Sequence, residues 1–442
     1  MISDGTPAPT AHPVKAKALA PAKQAYRRLD VDVMVLGAGM VGVGTALALQ
    51  RRGQAVALID RHAEAGTQTS YGNAGIIQRE GVVPYTFPRD LKTVARAALN
   101  REPGARLTYG ALGALAPWLY RYWRQSGPQA AARTARAALP LIERCLEAHQ
   151  RAAEAAGVAA MLRQTGYLRL YRSEKALDAA FAGEQDAMRT YGVKADRLDR
   201  DGLIALEPHL GEGITGAIYH PDPETVADPG ALVRAYHEAF ISAGGQALTG
   251  NALRLAETAG GWALTTAQGE VRAGAAVIAL GPWSMDLLRP MGYRLPLGFK
   301  RGYHRHYTAR GNAVLNRPVI DSAHGYVMAP MAQGIRLTTG AHFTTRDAPA
   351  DETQLVQAER AARDVFALET PVEAEAWVGA RPCLPDMLPI IGPAPRHRGL
   401  WLNFGHHHLG FTLGPVTGEL LAQMMLDETP FTDPAPYRPE RF

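Results

Sequence analysis

A glycine-rich turn between a strand and a helix constrains this chain more than any other feature. Residues 31–36 (VDVMVL) are apolar and largely β-branched and stop at glycine, as a buried parallel strand does. Gly37-Ala38-Gly39-Met40-Val41-Gly42 then reads G-x-G-x-x-G. A helical stretch covers about 40–52, Gly53 stops it, and 55–60 (AVALID) reads as a second strand. In such a strand–turn–helix–strand unit Gly37 permits the tight turn. Gly39 lets the backbone approach a pyrophosphate, and Gly42 lets helix and sheet pack closely. The helix N-terminus offers unpaired N–H groups to the phosphates. Asp60 ends the second strand about twenty residues on, where a carboxylate accepts from ribose hydroxyls, and Arg61 adjoins it. The unit therefore predicts an α/β dinucleotide-binding fold. The acidic residue disfavours NADP and leaves NAD and FAD open.

The remaining composition narrows the class. With 47% apolar and 20% charged residues in 442, a large core is available and wholesale disorder is excluded. Two cysteines, Cys145 and Cys383, exclude a disulfide framework or a cysteine-rich zinc module. Lys and Arg number 47 against 42 Asp and Glu, a mixed balance of +5 that gives no indication of nucleic-acid binding. No apolar run reaches about 18 residues, so no transmembrane helix is expected. Residues 1–29, rich in Ala, Pro and Lys, read as a disordered tail without a signal-peptide core.

Along the chain, 90–157 is helical in pattern, with Leu139, Ile142, Leu146 and His149 on one face and Cys145 beside them as a small core residue. Strands are expected at 167–171, 214–220 and 275–280, and a helix capped by Asp228 runs to about 243. Residues 293–345 alternate in short runs and predict an antiparallel sheet. A helix follows at about 351–367, and 401–425 reads as strand, glycine turn and helix.

The segment after Asp60 separates the two cofactors. Thr69-Ser70-Tyr71-Gly72-Asn73-Ala74-Gly75, followed by Ile76, is dense in hydroxyls, an amide and glycines, where an NAD-binding domain would normally continue with another strand–helix repeat. With it go Val277-Ile278-Ala279-Leu280-Gly281-Pro282-Trp283-Ser284, Arg301-Gly302-Tyr303, and Gly379-Ala380-Arg381-Pro382 with Pro385-Asp386 and Pro389-Ile390-Ile391-Gly392. Asn403-Phe404-Gly405-His406-His407-His408-Leu409-Gly410 closes the series. In this order the motifs resemble the FAD-dependent D-amino-acid dehydrogenases of small-subunit type, within the glycine oxidase/sarcosine oxidase superfamily, over about residues 31–425.

That resemblance implies a discontinuous Rossmann-like FAD-binding domain at 30–105, 215–290 and 375–442. An α+β substrate domain with a mostly antiparallel sheet takes 106–214 and 291–374. It implies non-covalent FAD, since covalent members attach the flavin near the position of Gly379 and Cys383 is four residues away. The cofactor contacts implied are the 37–42 turn, Asp60, Arg61, Thr69, Ser70, Asn73 to Ile76, Ala279, Gly281, Trp283, Gly405, His406 and Leu409 to Thr412 (Gly410 and Phe411 included). Arg381 matches the arginine that clamps a substrate carboxylate, and Tyr326 the tyrosine that assists it. His408 stands where relatives carry Arg or Thr. His304, Tyr303, His342 and Phe343 are expected to wall the substrate pocket. Three adjacent histidines cannot all face one metal, so a metal site is not expected.

The implied reaction is oxidation of an amino acid's Cα–N bond by hydride transfer to the flavin. The substrate is a D- or cyclic secondary amino acid, and the electrons go to quinone or another acceptor. An oxygen-using glycine or sarcosine oxidase, a 2-hydroxy-acid dehydrogenase and a non-catalytic flavoprotein component of a complex stay open. Residues 115–123 (LAPWLYRYW) suit either a membrane surface or a packed helix, so a cytoplasmic protein with peripheral membrane contact is the expected location.

Overall fold

The computed structural model describes residues 28–442. The elements that frame the site are, in chain order, strand β1 (Arg28–Leu36), helix α1 (Met40–Gln50), β2 (Val56–Asp60), α2 (Leu112–Gln125) and β3 (Glu270–Ile278). They continue with β4 (Gly298–Ala309), β5 (Tyr326–Met331), β6 (Gly334–Thr339), β7 (Trp377–Cys383), β8 (Leu400–Phe404) and α3 (Gly410–Met425).

The first sheet has a parallel centre. β8, β3, β1, β2 and Gln246–Thr249 lie side by side, with Ala276 opposite Leu400, Val33 opposite Ala275 and Val56, and Ala57 opposite Gln246. Their near-continuous apolar runs reflect burial on both faces. Because the four strands β8, β3, β1 and β2 are parallel, their carboxyl ends share one edge. Ligands of open α/β sheets bind outside such an edge. Helix α1 packs directly on α3 against one face of this sheet, and the buried Asn403 on β8 donates to Thr45 Oγ1 at 3.0 Å.

The second sheet has eleven strands and is mostly antiparallel around β4, β5, β6 and β7. Alternation divides its faces. Tyr303, Tyr307, Tyr326, Met328 and Leu337 enter a core against the helix Thr353–Arg363. Gly302, His304, His306 and Arg336 therefore point the other way, towards the first sheet.

Several expectations change. Arg28 and Leu29, expected in the tail, open β1 and pair with Glu270 and Val271, while 1–27 lie outside the described residues. The expected helical run 90–157 is interrupted by the strand Ala105–Leu107, whose partner Ala341–Phe343 is distant in sequence. It breaks again at Arg144, which places the fully buried Cys145 inside the apolar stripe. Strand pairing places Gly216–His220 and β7 in the second sheet, although the sequence division groups both with the cofactor-binding segments.

Candidate active site

The carboxyl edge of the first sheet opens into a cavity of about 600 Å³ that continues beneath the second sheet. Gly37 has φ +105°, and a Cβ there would lie 2.6 Å from the Ala279 carbonyl oxygen. A Cβ on Gly42 would lie 1.7 Å from the Gly37 carbonyl oxygen, so only glycine lets α1 meet the turn. Gly39 is the N-cap of α1 and has no side chain of its own to cap the helix, which leaves first-turn N–H groups other than that of Met40 at the cavity. Asp60 accepts from Ala38 N through Oδ2 and from His62 N through Oδ1, both at 2.8 Å, and so braces the turn as well as facing the cavity. Ser70 Oγ accepts from Met40 N at 3.0 Å, which joins the 69–75 loop to the same turn.

That loop is also tied to the second sheet. Arg336 donates through Nη1 to the carbonyls of Tyr71 (2.7 Å) and Asn73 (2.6 Å), and through Nε to His306 Nε2 at 3.0 Å. An arginine only donates, so His306 carries its proton on Nδ1 and donates it to Glu373 at 2.6 Å. On the opposite rim the Arg61 guanidinium stacks 4.3 Å from the Trp283 ring. The cradle offers helix-terminal N–H groups, a ribose-seeking carboxylate, and glycine backbone open to a flat ring. It fits an extended flavin dinucleotide.

Of the residues singled out in the sequence, Gly37 to Val41, Asp60, Arg61, Thr69, Ser70, Asn73, Ala74 and Ile76 border the cavity. So do Ala279, Gly281, Trp283, Gly405, His406, Gly410, Phe411, Tyr326, Arg381 and His408. Gly42, Gly75, Leu409 and Thr412 stand behind that lining. Thr412 Oγ1 accepts from Gln78 N at 3.1 Å.

The expected pocket walls divide less favourably. Tyr303 faces the second core, and His342 uses both ring nitrogens, with Tyr303 Oη at 2.9 Å and Thr108 Oγ1 at 2.8 Å. His304 stacks on Trp377 at 4.7 Å, behind the lining, and burial pushes its pKa down to about 2. Phe343 stands behind the lining near Lys300. Tyr326 only borders the cavity. Its ring lies in the second core, with the hydroxyl 3.5 Å from the Ala361 carbonyl, so alternation turns it away from the place expected for a carboxylate.

Arg381 does reach the cavity. On β7 it pairs with Lys300 of β4, and its guanidinium lies over Gly302, where a Cβ would come within 2.6 Å of Nη2. Nη1 donates to the Gly340 carbonyl at 2.9 Å, with longer 3.4 Å contacts to the carbonyls of Arg301 and Thr339. Among the described residues no carboxylate pairs with it, and burial lowers its pKa. His408 packs on Tyr85 at 4.8 Å, and burial lowers its pKa to about 3, so the ring is neutral at pH 7. Cys383 is fully buried at the cavity wall, and burial raises its thiol pKa.

Sequence reasoning passes over Lys300, which also lines this cavity. It immediately precedes Arg301-Gly302-Tyr303, and alternation with Gly302 is the signal that would place it on the cavity face.

The FAD-dependent oxidoreductase family model matches residues 32–424. A D-amino acid dehydrogenase from Granulibacter bethesdensis is 30% identical over 415 residues, 91% of this chain and 97% of that protein. D-amino acid dehydrogenase 2 from Mesorhizobium japonicum is 29% identical over 413 residues, 91% of this chain and 98% of its own length. Among solved structures, glycine oxidase from Geobacillus kaustophilus superposes with a TM-score of 0.70 at 24% identity, covering 94% of this chain and 99% of that one. With the dinucleotide cradle in place and the match spanning nearly its whole length, this chain belongs to the FAD-dependent oxidoreductase family.

Proposed function

We propose that this protein is an amino-acid dehydrogenase that oxidises the Cα–N bond of a substrate held by its carboxylate on Arg381. The observation that carries this reading is a guanidinium with no acidic partner among the described residues, in the same cavity as the cofactor cradle. A buried cation in that state is stabilised by a ligand anion, and the planar fork suits a carboxylate. The names of the curated relatives support an amino acid of D configuration.

Bound FAD supplies the two-electron acceptor for the hydride that leaves Cα. The chain's own residues orient the substrate and exclude water. Arg381 anchors the carboxylate, which directs Cα towards the 69–75 loop and the Gly405 turn. Neutral His408 and Tyr85 border the substrate without adding charge. Cys383 stays a buried packing thiol at the cavity wall, and the flavin is held without a bond to it. The neutral substrate amine provides the electron pair that forms the imine, and the released imine hydrolyses to a keto acid. In this reading the first sheet carries the cofactor and the second supplies the substrate anchor.

The electrons pass to a quinone-type acceptor at a membrane surface. Helix α2 divides the 115–123 segment into two faces. Trp118 and Tyr122 are buried, while Tyr120 and Trp123 stack at 6.2 Å on the exposed side beside Arg121 and Arg124. Such an aromatic and basic face suits anionic lipid. Among the described residues no helix is long and apolar enough to cross a membrane.

The test is anaerobic flavin bleaching with D- and L-amino acids, N-methyl amino acids, prolines and 2-hydroxy acids, followed by readmission of air. Bleaching by amino acids and slow reoxidation support the dehydrogenase. Rapid peroxide formation would make it an oxidase, and no bleaching by any amino acid would sink the proposal.

A further inference from the structure

Lys300 takes no part in the cofactor cradle or the carboxylate clamp, yet it is only 8% exposed and lines the same cavity. It stands opposite Arg381 in the β4–β7 register, so both side chains leave the same sheet face. They then diverge. The guanidinium runs over Gly302 to the Gly340 carbonyl. The Lys300 ammonium turns to α2, where it donates to Tyr122 Oη at 2.9 Å and sits 4.1 Å from the centre of that ring. Trp118 and Phe343 lie at 5.9 and 5.8 Å from Nζ.

An ammonium has three N–H donors, and Tyr122 takes one. No carboxylate of the described residues faces Lys300. The charged or titratable groups around it are Arg381, Cys383, Tyr122, His407 and His408. Two neighbouring buried cations without a counter-anion are costly, and the cost is offset only when a ligand supplies negative charge to both. One carboxylate accounts for Arg381. Trp118, Tyr122 and Phe343 back the ammonium from behind the cavity lining, and a second carboxylate, joined to the first by a short methylene spacer, supplies the charge that Lys300 lacks.

Building on the amino-acid reading, we propose that Lys300 is a specificity-determining residue and that the substrate is a dicarboxylic amino acid of the aspartate or glutamate type. Its α-carboxylate lies on Arg381 and its side-chain carboxylate on Lys300. Tyr122 positions the ammonium and is itself held by the Tyr85 carbonyl.

The test uses the flavin-loaded protein and two readouts. In the first, non-reactive succinate and glutarate are titrated against butyrate and valerate, and binding is read from the flavin spectrum and by calorimetry. The dicarboxylates are expected to bind at least about tenfold more tightly, the scale of one charge-assisted contact. Lys300→Met should bring the ratio to about unity with FAD content unchanged, while Lys300→Arg retains most of it. In the second, both enantiomers of glutamate and glutamine are compared by anaerobic bleaching, and glutamate should be favoured by a similar factor. Equal binding of mono- and dicarboxylates by the wild-type protein overturns the subsite whether or not any variant folds. A preference that survives Lys300→Met overturns it too. Bleaching by neutral amino acids without dicarboxylate preference leaves the oxidoreductase reading intact and removes this one. Lys300-dependent dicarboxylate binding without bleaching by any amino acid does the reverse.

Discussion

Replacing Arg381 by methionine keeps most of the side-chain length and removes the charge. The guanidinium has five N–H donors, and the structure uses one well, at 2.9 Å to Gly340, and two contacts weakly at 3.4 Å. At least two donors remain for a carboxylate. Two charge-assisted hydrogen bonds at roughly 1.5–3 kcal/mol each amount to about 3–6 kcal/mol. At about 1.4 kcal/mol per tenfold, kcat/KM should fall by about 10²–10⁴. Two effects on stability oppose each other: the variant relieves an uncompensated buried cation but leaves the Gly340 carbonyl without its donor. The net change should be small beside the kinetic loss. No Arg381 contact touches the 37–42 turn or Asp60, so the purified variant should carry a full complement of FAD. Stopped-flow reduction under anaerobic conditions, with substrate varied, measures the loss. A variant loaded with FAD and retaining kcat/KM within about threefold of wild type would refute the clamp, since the 10² lower bound leaves no room for that result.

Three further outcomes follow from the same geometry. Gly42→Ala places a methyl group 1.7 Å from the Gly37 carbonyl oxygen, so the protein should purify with little or no FAD, read from its visible absorbance. Acid precipitation should release free FAD to the supernatant, and Cys383→Ser should keep its flavin; colour remaining in the pellet would contradict the non-covalent assignment. Acid should weaken the fold through its buried histidines. His149 lies in the first-sheet core, hydrogen-bonded to the Phe411 carbonyl at 2.9 Å, with its pKa pushed down to about 4 by burial. Between its ordinary value near 6.5 and about 4 the unfolded chain binds a proton that the native state refuses. Stability therefore falls as pH drops through that window, by about 3 kcal/mol from His149 alone. Denaturation midpoints measured from pH 7 to 4 should show this slope, and His149→Gln should flatten it; identical slopes would count against the argument.

Local chemistry makes much of this protein readable in one dimension. The G-x-G-x-x-G turn, Asp60 and the 69–75 loop lie within forty-five residues, and the turn acts through backbone that its own neighbours shape. A glycine needed at φ +105° or against a carbonyl leaves its signature directly in the chain. The antiparallel pattern of the second sheet is legible too, because alternation is a local property.

Alternation does not say which of a strand's two faces meets the ligand. Tyr326 and Tyr303, expected in the pocket, enter the opposite core. His342, expected beside them, is fully occupied by Tyr303 and Thr108. Lys300, unremarked in the sequence, stands beside Arg381 eighty-one residues away because β4 and β7 pair in one register. The 37–75 part of the cofactor cradle is therefore written in the chain itself, since it is contiguous and conformationally demanding. The proposed substrate end comes into being only on folding, because its cations belong to separate strands whose facing and neighbours depend on how the sheet closes over the cavity.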